Sequence, residues 1–277
     1  MNIIENKVFD EERALYESKD LKLVNCGFHG KADGESALKE SSNIIADHCF
    51  CDLRYPFWHN HSLKISNSEM TANCRAALWY SDNVIIANTS LHGIKAVREC
   101  ENVTIEDCDI SSPEFGWFSK KILMSNCRAE SEYFLLRSRD ITLKNVDFKG
   151  KYSFQYIENA VLENCIFDTK DAFWHAKNVV VRDSVVKGEY LGWYSDNLVF
   201  DNCKITGTQP LCYCEKLKLI NCEMENTDLS FEKSDVTAEI LTPIDSVKNP
   251  RSGRIIAPEI GTLIRDDEES RCEIIIR

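Results

Sequence analysis

Tyr156, His175 and Tyr194 are evenly spaced along the chain, and the side chains around them recur at the same interval. Lys151 and Tyr152 precede Tyr156, Lys170 and Asp171 precede His175, and Glu189 and Tyr190 precede Tyr194. A histidine bracketed by two tyrosines can take up or deliver a proton, and a lysine beside it can stabilise an anion. Asp171 and Glu189 on neighbouring copies are spaced to act as a carboxylate pair, as glycoside cleavage requires. Lys170 with Glu189 reads somewhat better as a plain ion pair than as part of a catalytic set. Tyr156, His175, Tyr194, Asp171, Glu189 and Lys170 therefore form the candidate catalytic set.

The element that would bring these residues together is visible in the repeat. "NVTIEDCDI" at 102–110 returns as "NLVFDNCKI" at 197–205, five of the same intervals later. An Asn or Asp closes a short apolar run at Asn88, Asp107, Asn126, Asn145, Asn164, Asp183, Asn202 and Asn221, and every step in that series is equal. Towards the N-terminus the spacing loosens through Asn67, Asp47 and Asn25, and a twelfth copy without the Asn ends on Ile240. A fixed period near 20 dictates a solenoid. Within one copy, two period-2 apolar pairs are broken by a phase shift at the Asn/Asp, the pattern of two strands meeting at a corner. A third short run, such as "AALWY" (76–80) or "YLGWY" (190–194), supplies a third strand. The spacing thus predicts an all-β fold, a right-handed parallel β-helix of about twelve coils over residues 1–240, closed by a C-terminal capping segment of two or three strands over 241–277 within the same domain.

Numbered back from each corner, the third run arranges its side chains in columns. The ninth column holds all five tryptophans, together with Tyr16, Leu38, Arg98, Leu136, Gln155 and Cys212. Strand alternation with the small or apolar eleventh column places it in the core; the opposite parity would make it a surface stripe. The eighth column contains His59, Tyr80, Arg137, Tyr156, His175, Tyr194 and Tyr213, the twelfth Tyr55, Tyr152, Asp171 and Tyr190, and the thirteenth Arg75, Lys151, Lys170 and Glu189. Aromatic rings rimmed by charges suit sugars, whose apolar faces stack and whose hydroxyls take hydrogen bonds. Tyr55, His59, Arg75, Tyr80, Arg137, Lys151, Tyr152, Tyr190 and Tyr213 are accordingly the candidate ligand-binding residues, for a saccharide. The alternative is an aromatic sheet covered by a loop, a terminus or a second copy, that is, a noncatalytic scaffold. Both a monomer and a homo-oligomer are compatible with the pattern.

Composition bounds the rest. A net charge of −12 speaks against a nucleic-acid sheath. No run approaches membrane length, and "MNIIENKVFDEERALYES" has no basic region followed by an apolar one, so a cytoplasmic protein without a membrane partner is expected. Six of the thirteen cysteines directly follow the corner residue, where they read as a buried stack of free thiols. Cys49-x-Cys51 and Cys212-x-Cys214 lack the spacer of a zinc knuckle, so neither metal nor cofactor is expected. "HNH" (59–61) lacks the context of a nuclease, and "GKADGESALKES" (30–41) reads as a widened corner beside the aromatic columns.

The phrases "ADGESALKES", "RYPFWH", "RAALWYS", "SPEFGW", "KYSFQYIEN", "TKDAFWHAKNV", "EYLGWYS", "GTQPLCYC" and "IDSVKNPRSG" run through the chain. On them the whole sequence resembles a bacterial, largely gut-associated family classed as a domain of unknown function, of the pectin-lyase-like single-stranded right-handed β-helix kind. The resemblance implies the fold and no particular reaction. The wider superfamily acts on acidic polysaccharides as lyases, hydrolases and esterases, commonly on the outer face of one sheet. An enzyme of this kind would thus be a polysaccharide lyase or glycoside hydrolase. The Asp triad of its polygalacturonases and the calcium-binding acids of its pectate lyases have no clean match here.

Overall fold

A computed structural model describes residues 1–277, which contain strands and turns and no helix. The chain is a parallel β-solenoid of about 14 turns. It divides into two compact units, residues 1–142 and 143–277.

Both units are built from the same coil. In the second, the strand Lys177–Arg182 pairs in parallel with Glu158–Glu163 on one side and Asp196–Asp201 on the other, each partner exactly one repeat away in sequence. Val179 and Val181 point inward and are buried, as the alternation requires. The corner residue then takes a left-handed conformation: φ is 53° at Asn164, 48° at Asp183 and 53° at Asn202. Asn and Asp carry that conformation at lower cost than other residues with a Cβ. Their side chains form the expected ladder, with Asn202 Nδ2 donating to Asp183 Oδ1 at 2.5 Å and Asn164 Nδ2 to Asn145 Oδ1 at 2.7 Å. A second such ladder, Asn159, Asn178 and Asn197, stands at the start of the long strands, beyond what the corner pattern predicts.

All thirteen cysteines are free and buried. In the column after the corner, the Cys203 thiol donates to the carbonyls of Val181 and Asp201, at 3.4 and 3.3 Å, so it acts as a small apolar group that also covers two acceptors. At the N-terminal end the corner is His48 (φ 53°) rather than Asp47, so Cys49, not His48, occupies the thiol column. Asp47 instead remains in the strand and accepts hydrogen bonds from Ser66 and Asn67.

The third run departs most from expectation. In the second unit it is a turn, not a strand, in which alternate residues take positive φ: Asp171 at 53°, Phe173 at 61° and His175 at 55°. Successive axial peptides therefore point in opposite directions: His175 N–H donates forward to the carbonyl of Trp193 (2.9 Å), and Phe173 N–H donates back to that of Ser153 (3.0 Å). In the first unit only two-residue strands survive, Leu78–Trp79 and Val97–Arg98, paired with each other. The twist of side-chain direction buries the tenth and eleventh columns and leaves the tryptophans, Arg98 and Gln155 of the ninth half-buried. Phe154, Phe167, Phe173 and Phe200 form the core of the second unit, with Phe154 and Phe173 stacked at 4.9 Å. Burying each such ring contributes roughly 1.5–3 kcal/mol. None of the five tryptophans is fully buried, against the core placement expected for them.

The C-terminal segment also differs from a cap appended to the coils. Ser252–Ala257 extends the ladder of Asp235–Ile240, Glu273–Ile276 extends it again, and Ile244–Lys248 pairs in parallel with Ile260–Ile264. These residues are coils themselves, which raises the count above twelve. They are illegible in the sequence because the corner Asn is gone and the step from Asp235 to its partner Ser252 is shorter than the regular repeat.

Candidate functional site

The turn geometry explains why the ninth column holds tryptophan and glutamine. With alternate peptides lying across the coil, the carbonyl of the twelfth-column residue has no inter-coil N–H to accept. A side-chain donor from the preceding coil fills the gap: Gln155 Nε2 to Asp171 O at 3.0 Å, Trp174 Nε1 to Tyr190 O at 2.6 Å, and Trp193 Nε1 to Gln209 O at 2.8 Å. Trp117 does the same to Tyr133 O, at 2.8 Å, in the first unit. At these four coils the position holds an N–H donor of sufficient reach, which satisfies partly buried carbonyls; Trp79 Nε1 turns instead to Glu99 Oε1, and Leu136 and Cys212 stand in the same column without a donor of this kind. Arg98 is accommodated differently, its guanidinium lying between the Trp79 and Trp117 rings at 5.3 and 5.4 Å while its Nε pairs with Glu99.

Outside this donor column, the eighth column of the second unit is a continuous stack. The ring of His175 lies 4.7 Å from that of Tyr156 and 5.1 Å from that of Tyr194, and Tyr194 lies 4.9 Å from Tyr213, with planes 10–14° apart. Each ring covers the face of the next. Tyr156 and Tyr194 remain exposed, and what they present is edges carrying hydroxyls, not open faces. The expected platform for stacking a sugar is therefore replaced by a row of hydrogen-bonding groups repeating once per coil. Burial, with Glu232 nearby, pushes the Tyr213 hydroxyl above its ordinary pKa and keeps it protonated.

On the other side of the donor column, Asp171 sits between Tyr152 and Tyr190 of the adjoining coils and is only 7% exposed. Burial raises its pKa; Lys170 opposes that shift and Glu189 adds to it. No hydrogen bond to its carboxyl contributes. Lys170 is paired with Glu189 at 2.9 Å, a contact that raises the lysine pKa. Its ammonium also stands 5.5 Å from the Tyr190 ring, as Lys151 stands 5.5 Å from Tyr152. The ion-pair reading of Lys170 and Glu189 is thus realised. All six candidate catalytic residues, with Lys151, Tyr152, Tyr190 and Tyr213, lie in the second unit.

The remaining candidates lie in the first unit. Tyr55 packs against Trp58, Tyr80 stacks on Trp79 at 5.1 Å, and Trp58 and Trp79 stack at 5.8 Å. His59 is engaged by Glu40 at 2.7 Å. Arg137 is exposed, and Arg75 lies in a separate hollow beside Arg54. No cluster of three or more His, Cys, Asp or Glu is arranged to hold a metal ion. No helix is long and apolar enough to cross a membrane.

Parallel coils of short strands joined at left-handed corners define a parallel β-solenoid protein. Within that class the chain belongs to the family described as protein of unknown function (DUF3737), whose model matches residues 2–276. Among curated proteins none matches the sequence. The fold is similar to that of PfbA, a surface adhesin of Streptococcus pneumoniae, at 11% identity over 94% of this chain and 81% of that one, with a TM-score of 0.51. A more distant similarity is to the A-module of the mannuronan C-5 epimerase AlgE4 of Azotobacter vinelandii, at 9% identity over 99% and 87% of the two chains, with a TM-score of 0.33. The likeness to PfbA is one of fold, and fold does not carry function.

Proposed function

We propose that the flank of the second unit binds a saccharide chain laid along the coil axis. One observation carries this reading: the stacked column Tyr156, His175, Tyr194 and Tyr213 offers ring-edge donors and acceptors at an interval of 4.7–5.1 Å, suited to a polymer whose own hydroxyls recur along its length. The half-buried Trp174 and Trp193 beside it supply apolar surface, and Lys151, together with the Glu189-paired Lys170, brings cations to the same flank. Asp171, held protonated more readily than an ordinary carboxyl, is the group suited to deliver a proton to a glycosidic oxygen.

Titration calorimetry with acidic and neutral oligosaccharides tests the reading. Binding by the wild type, lost in His175→Ala with an unchanged fold, supports it. Product formation from a bound oligosaccharide, absent in Asp171→Asn, would extend it from binding to processing. If no saccharide binds, and the chain sediments as a dimer that Tyr194→Lys dissociates, the exposed tyrosines serve a scaffold that pairs through this flank.

A further inference from the structure

The widened corner at residues 30–41 builds something that the aromatic flank does not use. A hollow of about 430 Å³ opens in the first unit, lined by Gly30, Asp33, Asp52, Arg54, Asn73 and Arg75 among others. Its wall is fixed by close backbone approach. Gly34 N–H donates to the Asp10 carbonyl at 2.8 Å, Ala32 N–H lies 3.3 Å from the Asp10 carboxylate, and a Cβ on Gly34 would come within 2.2–2.5 Å of the backbone of residues 10–12. Only glycine admits that contact. On the opposite side, a Cβ on Gly93 would lie 2.1 Å from the Cys74 carbonyl oxygen, which fixes the approach of Ile94. The hollow is therefore preformed rather than a gap under a loose loop.

Its charges are not equally engaged. Arg54 is shared between Asp33 at 3.5 Å and Glu35 at 3.6 Å. Asp52 is held only by neutral donors, the Thr71 hydroxyl and Asn73 Nδ2 at 3.0 Å, and both reach the same oxygen, Oδ1. Arg75 is exposed and makes no ion pair. One carboxylate with an uncommitted oxygen and one uncommitted guanidinium thus face a single hollow. A guanidinium matches a carboxylate in a bidentate pair, and a carboxylate lacking a cation matches an ammonium.

We propose that this hollow binds a small zwitterion of the α-amino acid type, its carboxylate on Arg75 and its ammonium on Asp52. The volume admits a free amino acid or the terminus of a short peptide. The site is independent of the aromatic flank and stands or falls apart from it.

Calorimetry and ligand-detected NMR on the full chain, with a panel of free amino acids, the matching α-hydroxy acids and the matching amines, test it. The expected result is that amino acids bind and both truncated series bind at least tenfold more weakly. Arg75→Gln should abolish binding of the amino acids, and Asp52→Asn should erase the preference for ammonium over hydroxyl. Arg75→Lys, which keeps the charge and loses the fork, should bind weakly, and unchanged circular dichroism confirms that each variant folds. The proposal is overturned if no panel member binds the wild type at millimolar concentration, if hydroxy acids bind as tightly as amino acids, or if Arg75→Gln binds unimpaired.

Discussion

The indole Nε1 of Trp174 donates to the carbonyl of Tyr190, on the next coil, at 2.6 Å. Gln155 and Trp193 repeat that relation on the coils to either side. From Gln155 to Trp193 the ninth column is thus a hydrogen-bonding spine beside the aromatic edges.

Trp174→Phe keeps most of the packing and removes the donor, leaving the Tyr190 carbonyl unpaired. The expected loss is about 1–3 kcal/mol of unfolding free energy, the cost of a stranded partly buried acceptor. Urea denaturation measures it; a variant as stable as the wild type would show that solvent serves the carbonyl equally well.

Asp171→Asn separates stability from function. Because burial raises the folded-state pKa above the ordinary 3.8, the carboxyl favours folding below its unfolded pKa, and that contribution is lost as pH rises through the folded value. At pH 7 the native charge is a burden, so the amide should raise the melting temperature there and lose its advantage near pH 3. Equal melting temperatures across the range would remove Asp171 from the groups that the fold holds under electrostatic cost.

The buried thiols of Cys165 and Cys203 should be inert. Burial pushes Cys165 up to about 11 and Cys203 up to about 12, so neither provides thiolate at pH 8. Alkylation of these two residues in the native chain should be slower than in the urea-unfolded chain by orders of magnitude. Rapid labelling of Cys203 in the folded protein would mean that the coils open locally.

Asn202→Ala tests the corner. For a residue with a Cβ and no side-chain amide the left-handed conformation costs about 1–2 kcal/mol, and the lost bond to Asp183 is typically worth about 1 kcal/mol. Asn202→Gly should recover the first part and not the second. Equal stability of the two variants would contradict this division.

The parts of the molecule that repeat are the parts legible in sequence. The evenly spaced corner column from Asn88 to Asn221, the inward Val and Ile of the long strands and the thiol stack all follow from local rules that recur coil after coil. The third run is different, because a period-2 pattern reads as a strand, whereas alternate left-handed residues at Asp171, Phe173 and His175 give the same two-residue period with a different direction of side chains. That ambiguity puts Trp174 and Trp193 in the core when the sequence is read alone. The signal that corrects it is in part the company they keep: Arg98 and Gln155 share with tryptophan a side-chain N–H, although Leu136 and Cys212 in the same column do not. The C-terminal coils escape the pattern because their corners have no Asn. The grouping of Tyr156, His175 and Tyr194 in one column survives, since a count of residues from the corner does not depend on parity.

The central claim is that the aromatic flank acts through ring edges and not through ring faces. Its most direct measurement is the calorimetric affinity of Tyr156→Phe/Tyr194→Phe for an oligosaccharide that binds the wild type. The double variant keeps the stack and removes two hydroxyls, so the account predicts a loss of about tenfold, the worth of two modest hydrogen bonds. Unchanged affinity would contradict the edge-reading account and place the ligand elsewhere.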